Sequence, residues 1–257
     1  MTAVEMSNTF DIKLNSYLKQ HGYGNQQGDL DITINEYEKS LYLTNAQYEI
    51  VRNLYEGKRT VYNEQGESFE GSESIRRILA ELVNTYTLNS STSPNPFIVS
   101  PNSVTDDATS YLVKIPNKDT MWYIIYEQVE LQDDACDITR VVDVVPTKYE
   151  ELRNFLQNPF KRPNQNRVLR LDVDKESVEL VTSYQSISSY RLRYLSKPSP
   201  IITANLPLDI SIEGLQNTNQ CELNTVIHDL IVDMAVQLAI QTKGLGRTEE
   251  QAQDKNS

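Results

Sequence analysis

Apolar residues recur at helical spacing in the first third of the chain and then change to the tighter rhythm of strands. Phe10, Leu14, Tyr17 and Leu18 form one stripe, which Gly22 and Gly24 stop. Ile34, Tyr37 and Leu41 resume the helical spacing behind a capping pair, Asn35 with Glu38 three residues on. Thr44 with Gln47 is a second such pair, suited to restarting the helix, which then runs to Gly57 through Ile50, Val51, Leu54 and Tyr55. Ser72 opens a further helix, with Ile75, Ile78, Leu79, Leu82, Val83 and Tyr86 on its apolar face. Residues 1–90 are therefore expected to be helical.

Residues 89–110 are polar and carry Pro94, Pro96 and Pro101, which predicts a loop or a loosely attached strand. Val, Ile, Tyr and Thr then dominate Tyr111–Ile115, Thr120–Leu131 and Asp137–Val145, with a turn at Asp133 and Asp134. MWYIIYEQVEL is long and nearly continuous in apolar residues, so it is placed centrally in a sheet. Thr147 caps a short helix, KYEELRNFLQ, which Pro159 terminates. RVLRLDV and SVELVTS follow as two strands turning at Asp174, Lys175 and Glu176, and SYRLRYL as another. Pro198, Pro200 and Pro207 interrupt the next stretch. A helix over about residues 223–243 closes the pattern, with Ile227, Leu230, Ile231, Met234, Ala235 and Leu238 on one face and Gly244 past its end.

The fold class expected is α+β, with N-terminal and C-terminal helices around a mostly antiparallel β-rich middle region. Residues 1–90 form the helical region and 91–215 the β-rich region with one short helix (147–157). Residues 216–244 form a C-terminal helix packing on the N-terminal helices, and 245–257 a disordered tail without an apolar pattern. The sequence contains no internal repeat.

Charge narrows the functional classes. The chain of 257 residues has a formal net charge of −12. The acidity is distributed: 8 basic against 13 acidic residues in 1–90, 13 against 17 in 91–215, and 3 against 6 in the remainder. Duplex binding draws on many Lys/Arg–phosphate contacts, so global affinity for nucleic acid is not expected. No apolar run approaches the length of a membrane span, and MTAVEMSNTF has neither the basic nor the apolar region of a secretory signal. Fifteen tyrosines against one tryptophan suit protein contacts and half-buried strands equally.

Catalytic chemistry finds little to stand on. Asp172, Asp174 and Glu176 alternate like the start of a calcium loop, but the sixth and twelfth positions are Ser177 and Ser183 instead of Gly and Glu. A solvated hairpin turn is the plainer reading. The two histidines, His21 and His228, and the two cysteines, Cys136 and Cys221, have no zinc spacing; the thiols are expected to be reduced. A Cys136–His228 or Cys221–His228 pairing in three dimensions is left open. No phosphate-cradling or nucleophile-elbow motif occurs, and only nine glycines are available to build one.

Two acid-free basic stretches stand out against the overall charge. One holds Arg153, Lys161, Arg162, Arg167 and Arg170 between Leu152 and Leu171; the other holds Arg191, Arg193 and Lys197. Three readings are open: an acidic face of a neighbouring protein, including another copy of the chain; occasional contact with a nucleic-acid backbone; or an ordinary solvated face. Phe160, set between Pro159 and Lys161, favours a protein interface. The candidate interface residues are Phe160, Lys161, Arg162, Arg167, Arg191 and Arg193.

The run VVPTKYEELRNFLQNPFKRPNQNRVLRLDV, then SYRLRYLSKPSPIIT and CELNTVIHDLIVDMAVQLA, resembles ring proteins of the head-to-tail connector of crAss-like bacteriophages. LTNAQYEIVRNLYEG resembles the same proteins, and together these segments cover most of residues 33–240. The resemblance implies a virion structural protein, made in the host cytoplasm and assembled as a closed ring of twelve copies beneath the portal. Its partners would be itself, the portal protein and other neck and tail rings, with DNA passing nearby. The resemblance implies no enzymatic activity, no cofactor and no catalytic residue. The alternatives are a virion-associated metal-dependent hydrolase or nuclease using dispersed carboxylates, and a tail attachment module binding host glycans.

Overall fold

The computed structural model describes residues 1–21, 34–58, 66–99, 108–133, 138–183 and 186–245. Gly22, Gly24, Pro101, Asp134, Cys136 and nearly all of the expected C-terminal tail lie outside the described residues. The chain forms two compact units, Met1–Leu82 with Pro198–Ser257, and Val83–Lys197.

The first unit is built on α1 (Ala3–Gln20), α2 (Glu36–Glu56) and α5 (His228–Thr242), with α5 packed against both others. The expected Asn35–Glu38 capping box forms, and α1 has an unexpected one: Thr2 Oγ1 accepts from Glu5 N–H and Asn35 Oδ1 from Glu38 N–H, each Glu returning a bond to its cap. Met6, Phe10, Leu14 and Leu18 are buried along α1, each contributing roughly 1.5–3 kcal/mol by removal from water. α2 ends at Gly57 in the left-handed region (φ 69°), where an added Cβ would meet Ser68 at 3.0 Å.

The Thr44–Gln47 pair does not restart this helix: α2 is continuous. Ser40, Thr44 and Gln47 lie on one buried face, at the spacing of successive turns. They replace a strand partner for the extended backbone of 199–203. Thr203 N–H donates to Ser40 Oγ (3.1 Å), Ile201 N–H to Thr44 Oγ1 (3.1 Å), and Gln47 Nε2 donates to the Ser199 carbonyl (2.9 Å). A polar pair that reads locally as a cap is thus used to satisfy buried backbone. Beside it, Lys39 (side chain 7% exposed) donates to Asp11 at 2.6 Å and Glu36 at 2.8 Å, and Glu36 also accepts from Ser7 and Thr203. Burial raises the Glu36 pKa, but these hydrogen bonds and the Lys39 charge outweigh it, and the net shift is downward.

The helix expected from Ser72 through Tyr86 is shorter. α3 spans Glu73–Ile78, a 3₁₀ turn follows at Ala80–Leu82, and β1 occupies Val83–Asn89. Ser72 makes no side-chain cap bond. VNTYTLN alternates, and β1 pairs antiparallel along its whole length with Ser186–Ser196 (β8), so strand pairing overrides the helical reading of Val83 and Tyr86.

The second unit is one sheet in the order β1-β8-β4-β5-β6-β7-β3-β2. The remaining strands are β2 (Phe97–Val99), β3 (Thr109–Lys114), β4 (Met121–Asp133), β5 (Ile138–Pro146), β6 (Arg167–Asp172), β7 (Ser177–Thr182) and β8 (Ser186–Ser196). Pairing is antiparallel except between β5 and β6, which α4 (Tyr149–Gln157) joins as a crossover. Side chains from β2 to β8 share one apolar cluster, including Phe97, Val113, Val129, Val142, Val168, Leu180 and Tyr190. The sheet is therefore curled, with that cluster on its inner face. The long apolar strand β4 is interior, as its composition predicts. On the outer face, Leu152 of α4, with Phe155 and Leu156 beside it, covers Leu169, Leu171 and Val181. The fold is α+β, helical at both ends with a mostly antiparallel sheet between.

Candidate interaction surfaces

The loop after α4 and the first residue of β6 gather four of the six candidate interface residues. Asn158 organises it: its Oδ1 accepts from Phe160 N–H (2.9 Å), and its carbonyl from Lys161 N–H (3.0 Å) and Arg162 N–H (2.9 Å). Arg167 Nη1 donates to the Phe160 carbonyl at 2.7 Å and braces the far side. Lys161 Nζ sits 5.1 Å from the centre of the Phe155 ring. The result is a held turn presenting Phe160, 86% exposed, with two cations that form no ion pair among the described residues. A preorganised aromatic flanked by charge is the usual anatomy of an interface anchor.

Arg191 and Arg193 lie elsewhere, on β8, exposed on the outer face of the sheet. Arg193 is registered between Thr85 of β1 and Tyr126 of β4, and Arg191 between Thr87 and Gln128. With Val83, Thr85, Tyr126 and Gln128 they line a shallow depression of about 450 Å³. Tyr126 donates its hydroxyl to Asp143 at 2.8 Å. The six candidates thus form two separate groups, a loop of four and a strand pair.

Arg170, from the same basic stretch, is not a surface residue. It points to the inner face of the sheet, where its Nη1 donates to Glu127 Oε1 at 3.1 Å; their side chains are 9% and 4% exposed. Tyr190 donates its hydroxyl to the same Glu127 oxygen. Burial pushes the Glu127 carboxyl above its ordinary value, more than Arg170 and Tyr190 draw it down. Sequence spacing gives no sign of this, because the partner lies 43 residues away.

The alternating carboxylates do not form a cation loop. Asp172 accepts from Lys118 at 2.7 Å and Arg170 at 3.4 Å, and Asp174 Oδ1 accepts from the Glu176 and Ser177 amides. The latter is an Asx-type turn closing the β6–β7 hairpin. Among the described residues no three His, Cys, Asp or Glu side chains converge as a metal site. His228 is buried: its Nε2–H donates to the Leu223 carbonyl (2.8 Å), so Nδ1 accepts, here from the Met1 ammonium (3.0 Å). The Cys221 thiol donates to Gln47 Oε1 at 3.2 Å, and burial pushes its pKa up to about 11. Cys221 and His228 therefore have separate partners. His21 stacks on Tyr17 with ring centres 4.0 Å apart. No helix among the described residues is long and apolar enough to cross a membrane.

Two features escape sequence reading. Leu208, 93% exposed, stands at a turn where Ile210 N–H donates to the Pro207 carbonyl; the flanking Leu206 and Ile212 are buried with Ile202. A groove of about 640 Å³ opens between α1 and α5, with Tyr17, Leu230, Met234 and Ile240 along it and Lys13 and Asp233 at its rim. Leu230 and Met234 read as core positions on the α5 stripe, yet they are only half-buried.

The comparisons with known proteins agree along the chain. Residues 1–251 match the model of a family described as phage tail ring protein 3/4. "Ring protein 3" of Bacteroides phage crAss001 is 38% identical over 245 residues, covering 95% of this chain and 96% of that protein. "Ring protein 4/5" of the same phage is 30% identical over 246 residues, covering 93% and 92%. With a match that spans both compact units, this chain belongs to the phage tail ring protein 3/4 family of crAss-like phages.

Proposed function

We propose that the chain is a structural subunit of a closed ring in the phage head-to-tail connector. Twelve copies surround a lumen through which DNA passes, stacked beneath the portal with other neck and tail rings. The subunit is made in the host cytoplasm, incorporated into the virion, and works through contact surfaces without enzymatic activity. The observation that carries this reading is the near-complete alignment, at both ends, with proteins named for rings.

The physical features fit such a role. A ring needs heterologous interfaces, in which each copy offers one surface to the neighbour on one side and a different surface to the other. The Phe160 loop, with Lys161, Arg162 and Arg167, and the Arg191–Arg193 strand face are candidate contact surfaces, each cationic on a chain of net charge −12 and so each suited to an acidic surface of a neighbour. Acidic balance elsewhere lets a duplex slide, since phosphate-binding side chains in a lumen act as an electrostatic brake. The test is light scattering with electron-microscope imaging of the purified chain, alone and mixed with portal. Closed rings, or incorporation onto portal or tail partners, support the reading; a stable monomer that joins none of them rejects it.

A further inference from the structure

We propose that the Phe160 loop of one copy seats in the α1–α5 groove of the next copy. This inference rests on the ring reading above and assigns its side-to-side interface. The loop is a held projection, and the groove is a held recess of the opposite character. Phe160 is 86% exposed, so nearly its whole ring is available to a partner surface. Asn158 and Arg167 fix the turn before any partner arrives, so little ordering entropy is lost on docking.

The groove offers what such a knob needs. Tyr17 from α1 and Leu230, Met234 and Ile240 from α5 supply apolar surface, and about 640 Å³ accommodates a phenyl ring with its neighbours. Thioether and ring contacts suit an aromatic guest. Charge fixes the choice of occupant. Asp229 and Asp233 stand one turn apart on α5 and share a single cation, Lys13, at 3.7 Å and 2.6 Å. Asp233 lines the groove and Asp229 stands beside it, so the trio leaves one negative charge in excess next to the groove, with side chains 67% (Asp229) and 43% (Asp233) exposed. Lys161 and Arg162 flank Phe160 and form no ion pair among the described residues. A cationic aromatic knob and an acidic apolar groove occur on the same chain and are different surfaces. That is the requirement for a head-to-tail contact that propagates around a ring.

The test measures the concentration at which full-length chain assembles, by mass photometry, with circular dichroism to confirm folding. Phe160→Ala and Lys161→Glu/Arg162→Glu should each raise that concentration at least about tenfold, as loss of an interface anchor does. Met234→Ala should raise it from the groove side. Asp229→Lys should weaken assembly alone but restore it when combined with the loop charge reversal. If wild-type rings form and the loop variants assemble within about twofold of wild type, the docking is wrong while the ring reading stands. If the loop reversal weakens assembly and Asp229→Lys brings no recovery, the loop docks elsewhere and the groove assignment falls. If wild-type chain assembles only with portal, the same variants are compared in that mixture; if it forms no ring and joins no portal or tail partner, both fall together.

Discussion

Arg170 on β6 and Glu127 on β4 form an ion pair at 3.1 Å that reaches across the intervening strand β5, inside the curl of the sheet. Tyr190 on β8 donates to the same carboxylate, so three strands are tied at one oxygen. Removing one member leaves the other charge buried and unpaired. Arg170→Met is expected to cost about 3–5 kcal/mol in denaturant unfolding. The exposed pair Arg77–Glu73 is the internal control, and Arg77→Ala should cost less than about 0.5 kcal/mol. Equal costs at the two pairs would show that the buried tie adds nothing.

Two carboxylates, Glu127 buried and Glu36 half-exposed, should respond to pH in opposite directions. Burial raises the Glu127 pKa on folding, so its stabilising contribution is full below the unfolded value and is lost as pH rises through the folded one. Glu36 is lowered: burial opposes ionisation, but Lys39, Thr203 and Ser7 outweigh it. Its contribution is present above the unfolded value and is lost as pH falls through the folded one. Stability measured from about pH 3 to 7 should lose part of its acid-side decline in Glu36→Gln, and part of its decline toward neutral pH in Glu127→Gln. Identical slopes in both variants and wild type would contradict these assignments.

Ser40, Thr44 and Gln47 act as a row of side-chain partners for the backbone at 199–203. Thr44→Val keeps the shape but strands the Ile201 amide, at a cost of about 1–3 kcal/mol. Hydrogen exchange offers the sharper readout. The Ile201 amide should lose protection in Thr44→Val, and the Thr203 amide in Ser40→Ala. Unchanged protection at both would mean that water or another group satisfies them.

Cys221 should be a poor nucleophile in the folded chain. Burial lifts its thiol pKa to about 11, and its hydrogen goes to Gln47. Alkylation at mildly alkaline pH, followed by peptide mapping, should leave Cys221 largely unmodified until denaturant is added. Rapid labelling of the native protein would place the thiol in the open.

How far the sequence exposes this structure depends on the reach of each interaction. α1, α2, α4 and α5 are legible because apolar stripes are local; the Asn35–Glu38 box appears as its spacing implies, whereas the expected Thr147 cap does not form: α4 starts after Lys148 with no side-chain cap bond, and Thr147 Oγ1 donates to the Val145 carbonyl instead. β4 is legible as an interior strand from its apolar run. Val83–Asn89 is not, since Tyr86 and Leu88 fit either period and the decision lies with Leu192 and Tyr190, more than a hundred residues on. The same limit hides Arg170, which charge counting groups with Lys161 and Arg162 but which Glu127 draws inward. Phe160 is legible as an exposed position because proline and cations flank it. The groove is not, because Leu230 and Met234 continue the α5 stripe, and their half-burial appears only where α1 and α5 lie side by side.

The most direct measurement is electron-microscope imaging of purified virions, reconstructed around the neck at a resolution that identifies side chains. A ring subunit appears there as a closed circle of identical copies, with Val83–Lys197 and the helical unit traced in every position and DNA density on the axis. Copies found singly, away from the neck, or absent from the particle altogether, would contradict the assignment.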